Sequence, residues 1–134
     1  MGKHISGSLY LPCCHIMSSD EDQPIVMDIY VGFNISGQFM VCVDLHDYDE
    51  PEYNCSTAAV VNLDDSHKMA RHHRVKHSRL PIFIAECMEE WGYIINPTFT
   101  QVRDCFKEIT ECLLDEGCRF RIKRTYGKGD HMCC

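Results

Sequence analysis

The chain has 134 residues, the size of one domain with its own hydrophobic core. At 45% hydrophobic and 25% charged it is not a globally disordered chain, and no apolar run approaches the roughly 18 to 20 residues that a membrane helix needs. The net charge of −7 argues against a general nucleic-acid binder and hides an asymmetry: between His4 and His67 there is no Lys or Arg but eleven acids, whereas from Lys68 onward twelve basic residues accompany nine acidic ones.

Taken in order, Met1-Gly2-Lys3-His4-Ile5-Ser6 fits the loose N-myristoylation pattern, for which chance is the plainer account. No apolar signal-peptide core follows, so a cytoplasmic location is expected, and the ten cysteines are read as mostly free thiols. Several of them suit core positions, namely Cys42 in a strand and Cys87, Cys105 and Cys112 on helices, where cysteine acts as a small hydrophobe. Ser8 to His15 reads as a short strand and Ser18 to Pro24 as an acidic turn. Ile25 to Phe33 alternates Ile25, Met27, Ile29 and Val31 against Asp28 and Tyr30. Gln38 to Leu45 repeats the pattern with Phe39, Val41 and Val43, and the turn composition of Asn34 to Gly37 between them predicts an antiparallel hairpin. Asp47 to Asn54 is an acidic loop broken by Pro51, and Ser56 to Leu63 is a further short strand.

Asp64 to Arg79 is ambiguous. Lys68 to His77 has only Met69, Ala70 and Val75 as apolar content, which suits a solvated helix or a mobile loop. Pro81 then opens a helix to Trp91 that buries Phe83 or Ile84 with Cys87, Met88 and Trp91, and Gly92 closes it. The clearest signal in the chain follows. Phe99, Val102, Phe106, Ile109 and Leu113 recur at steps of three and four, the spacing of one helix face. Thr98 with Gln101 forms a capping box before this helix, and Gly117 ends it. From Phe120 the period changes to two, with Ile122 beside it on one side and Arg121 and Lys123 on the other, which predicts a strand. From about residue 127 the chain is a polar tail.

Four groupings carry chemistry worth weighing. Cys13-Cys14-His15 and His131-x-Cys133-Cys134 are soft-ligand clusters, and Cys13, His15, His131 and Cys133 together would make a tetrahedral zinc site joining the two termini. No Cys-x-x-Cys occurs, however, and zinc is the one cofactor entertained. His73 and His77, at i and i+4, would share a helix face and chelate a metal, against the plainer reading of a basic solvent-facing segment. Lys68, Arg71 and Arg74, with Arg121 and Lys123, supply the cations that phosphate contact requires, with Phe120 and Tyr126 interleaved for stacking. A charged edge strand that resists aggregation accounts for residues 119–128 equally well.

Catalytic readings are thin. Cys118 and Arg124 have the Cys-x5-Arg spacing of a phosphatase loop, but the residues between them read as strand. His46-Asp47 with Asp64-Asp65 would hold a divalent metal for hydrolysis, against the plainer account of acidic surface loops. The whole chain, 1–134, is therefore expected to form a single α+β domain: an antiparallel sheet of four to five strands with an antiparallel pair of helices packed on one face. The expected function is a non-enzymatic binding module, an inhibitor or adaptor that engages a protein through Asp44, Asp47, Asp49, Glu50 and Glu52. A nucleic-acid binder using segments 68–79 and 119–128 is the alternative, and a small metal-dependent hydrolase the second. No membrane association is expected, and homodimerisation stays open.

Overall fold

The structure, a computed structural model, describes residues 9–126, with side chains from residue 13 onward. The myristoylation pattern, His131, Cys133 and the polar tail lie outside the described residues. Five strands form one antiparallel sheet in simple sequence order: β1 (Leu9–Ser18), β2 (Ile25–Asn34), β3 (Phe39–Asp47), β4 (Cys55–Val61) and β5 (Phe120–Tyr126). Three helices are inserted between β4 and β5: α1 (Leu63–His72), α2 (Leu80–Cys87) and α3 (Phe99–Asp115). This is the expected α+β fold.

Alternation in β2 and β3 decides which face the helices cover. Met27, Ile29 and Val31 of β2 and Phe39 and Val41 of β3 point the same way and are almost completely buried. Against them α3 lays Val102, Cys105, Ile109 and Leu113, each 0% exposed. Helix α2 adds Leu80 and Ile84, with Met88 just after its end, and α1 adds Met69 and Ala70. Burying large apolar side chains contributes roughly 1.5 to 3 kcal/mol each, so this layer is the main source of stability. On the opposite face Met40, Cys42, Ala58 and Val60 form a second buried cluster. The central strands β3 and β4 are thus apolar on both sides, which a sequence expectation of one buried face does not include.

The boundaries of three elements differ from expectation for physical reasons. Helix α1 starts five residues earlier than Lys68, because Asn62 caps it: the Asn62 side chain accepts a hydrogen bond from the Asp65 N–H at 3.0 Å, and Asp64 and Asp65 complement the positive helix end. It stops at His72, two residues before Arg74 takes a left-handed φ of 60°. Helix α2 ends at Cys87, and Glu89–Tyr93 continues as a 3-10 turn. Cys87 is consequently exposed rather than core, unlike the buried Cys42 and Cys105 and the half-buried Cys112. Strand β1 continues to Ser18 with register shifts between Tyr10 and Cys14 and between His15 and Met17. Such bulges change which residues face the core, so simple alternation fades there.

Helix α3 forms as the sequence predicts. Thr98 accepts from the Gln101 N–H at 3.1 Å, and the Gln101 side chain accepts from the Thr98 N–H at 2.9 Å. Gly117, at φ 79°, turns the chain out of the helix and into β5. Ile25 pairs with Asp47 and Phe33 with Phe39, so the β1–β2 and β3–β4 loops share one end of the sheet and the β2–β3 hairpin marks the other. Val61 pairs with Phe120, which places the start of α1 at the hairpin end.

Candidate interaction surface

The end of the sheet that carries the β1–β2 and β3–β4 loops gathers the acids that are separated in sequence. The first loop contributes Asp20, Glu21 and Asp22, and the second contributes Asp47, Asp49, Glu50 and Glu52. The Tyr48 N–H donates to the Pro24 carbonyl at 2.9 Å and ties the two loops together. Asp47 Oδ1 accepts from the N–H groups of both Asp49 and Glu50, at 3.1 and 3.0 Å, and so fixes the turn. Asn54 Oδ1 in turn accepts from the Asp47 N–H at 2.6 Å. Pro51 then starts a short 3-10 turn that ends at Tyr53.

The loop is therefore a hydrogen-bonded shape, and its side chains point outward. Asp49, Glu50 and Glu52 are exposed, and Asp47 is half-buried. Tyr48 and Tyr53 are 68% and 62% exposed, a large apolar commitment to solvent beside the acids. Tyr48 also stacks on His46 at a ring separation of 6.0 Å. Next to this loop lies a cleft of about 450 Å³ between Gln23, Pro24 and Ile25 on one side and Pro97 and Phe99 on the other. Two of its lining residues are joined, the Asp20 N–H donating to the Pro97 carbonyl at 3.2 Å.

Asp44, expected on this surface, is not on it. It is 3% exposed, and its Oδ1 accepts from Ser56 Oγ at 2.7 Å. It belongs to a polar row that crosses the sheet opposite the helices, where the register sets Ser18 against Asp28, Asp28 against Asp44 and Asp44 against Ser56. Burial pushes the Asp28 carboxyl up. The hydrogen bonds from His15 and Ser18 and the charges of His15 and His46 outweigh that effect and hold it below the usual carboxylate range. The neighbouring Tyr30 hydroxyl is pushed well up by burial and by the Asp28 and Asp44 charges. His15, expected as a zinc ligand, has its Nε2 engaged by Asp28 at 3.1 Å and Ser18 at 2.8 Å. Cys13 is half-buried two residues before it.

The other sequence candidates separate in space. His46-Asp47 and Asp64-Asp65 lie at opposite ends of the sheet and do not meet. Asp65 accepts instead from the Arg119 backbone and Nε at 2.9 and 2.8 Å, contacts that hold its carboxyl below the ordinary value. Cys118 is 2% exposed, and burial with the Asp65 and Glu116 charges pushes its thiol up to about 11, the reverse of what a nucleophile needs. His73 and His77 do not share a helix face, because α1 ends before both. His77 stacks on His67 at 3.7 Å, and His73 meets Glu116 at 2.7 Å.

Lys68, Arg71 and Arg74 are exposed on and just after α1, at the hairpin end. Arg121 and Lys123 are exposed on β5, pointing away from the helices. The acids of the two loops thus sit at one end of the sheet, and the α1 cations sit at the other, where Asp64, Asp65 and Glu116 accompany them. The signal that sequence reasoning missed is the joining of two acidic loops around exposed tyrosines and a cleft. The register of β2 against β3 is what brings them together. Among the described residues no helix is long and apolar enough to cross a membrane. Compared with known proteins, the chain matches no family model, no curated protein and no solved structure.

Proposed function

We propose that this protein is a non-enzymatic binding module whose acidic loop end docks a basic protein surface that also offers an apolar anchor. The observation that supports this most is the pre-organised loop Asp47–Tyr53. It presents Asp49, Glu50 and Glu52 together with two largely exposed tyrosines, beside the cleft at Pro24 and Phe99. Tyrosine is a preferred anchor of interface hot spots, and a loop already fixed by its own hydrogen bonds loses little entropy on binding. Complementary charge adds speed of association and selection among partners, with a dependence on salt.

A labelled Lys/Arg-rich peptide with one central aromatic residue provides the probe. Binding by fluorescence anisotropy is expected to weaken as salt rises. It is expected to weaken by about tenfold or more when Asp47, Asp49, Glu50 and Glu52 are changed to their amides, a loss of about 1.4 kcal/mol or more. The pair Tyr48→Ala and Tyr53→Ala reads the aromatic share separately. Equal binding by the parent and the amide variant overturns the proposal. The alternative, nucleic-acid binding through Lys68, Arg71, Arg74, Arg121 and Lys123, uses other surfaces, and gel shifts with the same amide variant would then be undiminished.

A further inference from the structure

At the end of the sheet opposite the acidic loops, two helix C-termini bring three metal-binding side chains together. His72 is the last residue of α1, His73 is its C-cap, and Glu116 is the C-cap of α3. One ligand atom from each lies within 4.8 Å of the other two. His73 Nε2 is 2.7 Å from Glu116 Oε2, across 43 positions of sequence. The ring of His73 is held from the side by Phe83 of α2, at 4.7 Å between centroids, and stands nearly perpendicular to that of His72, at 87°. The backbone of Glu116 is fixed at the end of α3, where its N–H donates to the Cys112 and Leu113 carbonyls. Two donors thus come from the end of α1, one of them braced by Phe83 of α2, and the third comes from the end of α3.

We propose that His72, His73 and Glu116 form a binding site for a zinc-class divalent transition metal that clamps the end of α1 to the end of α3. Two imidazoles and one carboxylate are a donor set that suits zinc and its neighbours, and they leave a fourth tetrahedral position facing solvent. Hard cations such as calcium and magnesium favour oxygen-only shells and fit this set poorly. In the metal-free form the His73–Glu116 contact holds the pair together. A metal ion would take the place of this direct contact and bridge the same two side chains. The three side chains lie at the opposite end of the sheet from the acidic loops and share no residue with them.

The test is calorimetric titration of untagged full-length protein with zinc chloride, repeated with His72→Ala, with Glu116→Gln and with a Cys13→Ser/Cys133→Ser control. His72 is exposed, so its replacement leaves the core intact, and circular dichroism checks each variant. One equivalent with micromolar or tighter affinity is expected for the parent and for the cysteine control, with at least a tenfold loss in each of the other two variants. Thermal melting is expected to rise with zinc in the parent and not in His72→Ala. No binding by the parent, or binding that His72→Ala and Glu116→Gln leave unchanged, overturns the proposal.

Discussion

Asp28 and Asp44 stand directly opposite each other on β2 and β3, both buried, at 8% and 3% exposure. Like charges in that relation are normally destabilising. Here each carboxylate has its own donors, His15 and Ser18 for Asp28 and Ser56 for Asp44. The row is thus a hydrogen-bonded polar seam in a sheet whose central strands are otherwise apolar. Its dependence on pH follows from Asp28. The folded-state pKa lies below the ordinary 3.8, so the unfolded chain takes up this proton first as pH falls. The stabilisation is complete well above 3.8 and is lost as pH drops through the folded value. Urea unfolding midpoints measured from pH 6 to pH 3 are expected to fall less steeply in Asp28→Asn than in the parent. Asp28→Ala removes the acceptor of the half-buried Ser18 and the exposed His15 and should cost about 1 kcal/mol at neutral pH. Parallel acid profiles for Asp28→Asn and the parent would contradict the assignment.

Gly117 isolates a backbone effect. Its φ is 79°, and a Cβ built there meets nothing within 4 Å. The cost of Gly117→Ala is therefore the left-handed conformation itself, about 1 to 2 kcal/mol, with no clash against the rest of the fold. Equilibrium urea unfolding reads it directly, and an unchanged midpoint would mean that the turn between α3 and β5 relaxes to another geometry.

Legibility in the sequence tracked how local each signal was. The α3 cap at Thr98 and Gln101, the stripe from Val102 to Leu113 and the stop at Gly117 are all contained within a few turns, and they were readable. The β2–β3 hairpin was readable for the same reason, since period-two alternation and a turn suffice. Asn62 was missed as the start of α1 because β4 runs into it, and Leu63 reads as easily as strand as it does as helix. The placement of Asp44 was missed because its neighbours Asp47, Asp49 and Glu50 suggest an acidic surface, whereas strand pairing with Ser56 draws it inside. The His73–Glu116 contact spans 43 positions and depends on where two helices end, which no local pattern encodes.

The capping box gives a second local prediction. Thr98 and Gln101 satisfy one another's backbone N–H groups at the start of α3, the helix that supplies the central core stripe. Thr98→Ala should lower stability by about 1 kcal/mol. Thr98→Asp, which keeps an acceptor and adds charge at the positive helix end, should restore most of it. Urea midpoints rank the three proteins. An alanine variant as stable as the parent would show that packing of Val102 and Ile109 fixes the helix start without the cap.

His77 supplies a switch of the opposite chemical type at the hairpin end. Its ring stacks on His67 at 3.7 Å, lies 5.1 Å from Phe33 between centroids, and shares a hydrogen bond with Ser66 at 2.8 Å. Burial, and then the charge of His67, lower its pKa from 6.5. The folded state thus favours the neutral ring, while the unfolded chain protonates at its ordinary value. Stability from this group is fully present above 6.5 and is lost as pH falls from 6.5 toward the lowered folded value. Among the described residues, the groups facing the ring are His67 and Ser66 of α1 and Phe33 of β2, none of them acidic. Between pH 7.5 and pH 5.5 the parent is expected to lose more stability than His77→Gln, which cannot protonate. The same drop in both would place the pH sensitivity on another histidine, and a double variant with His67→Gln would then separate the two stacked rings.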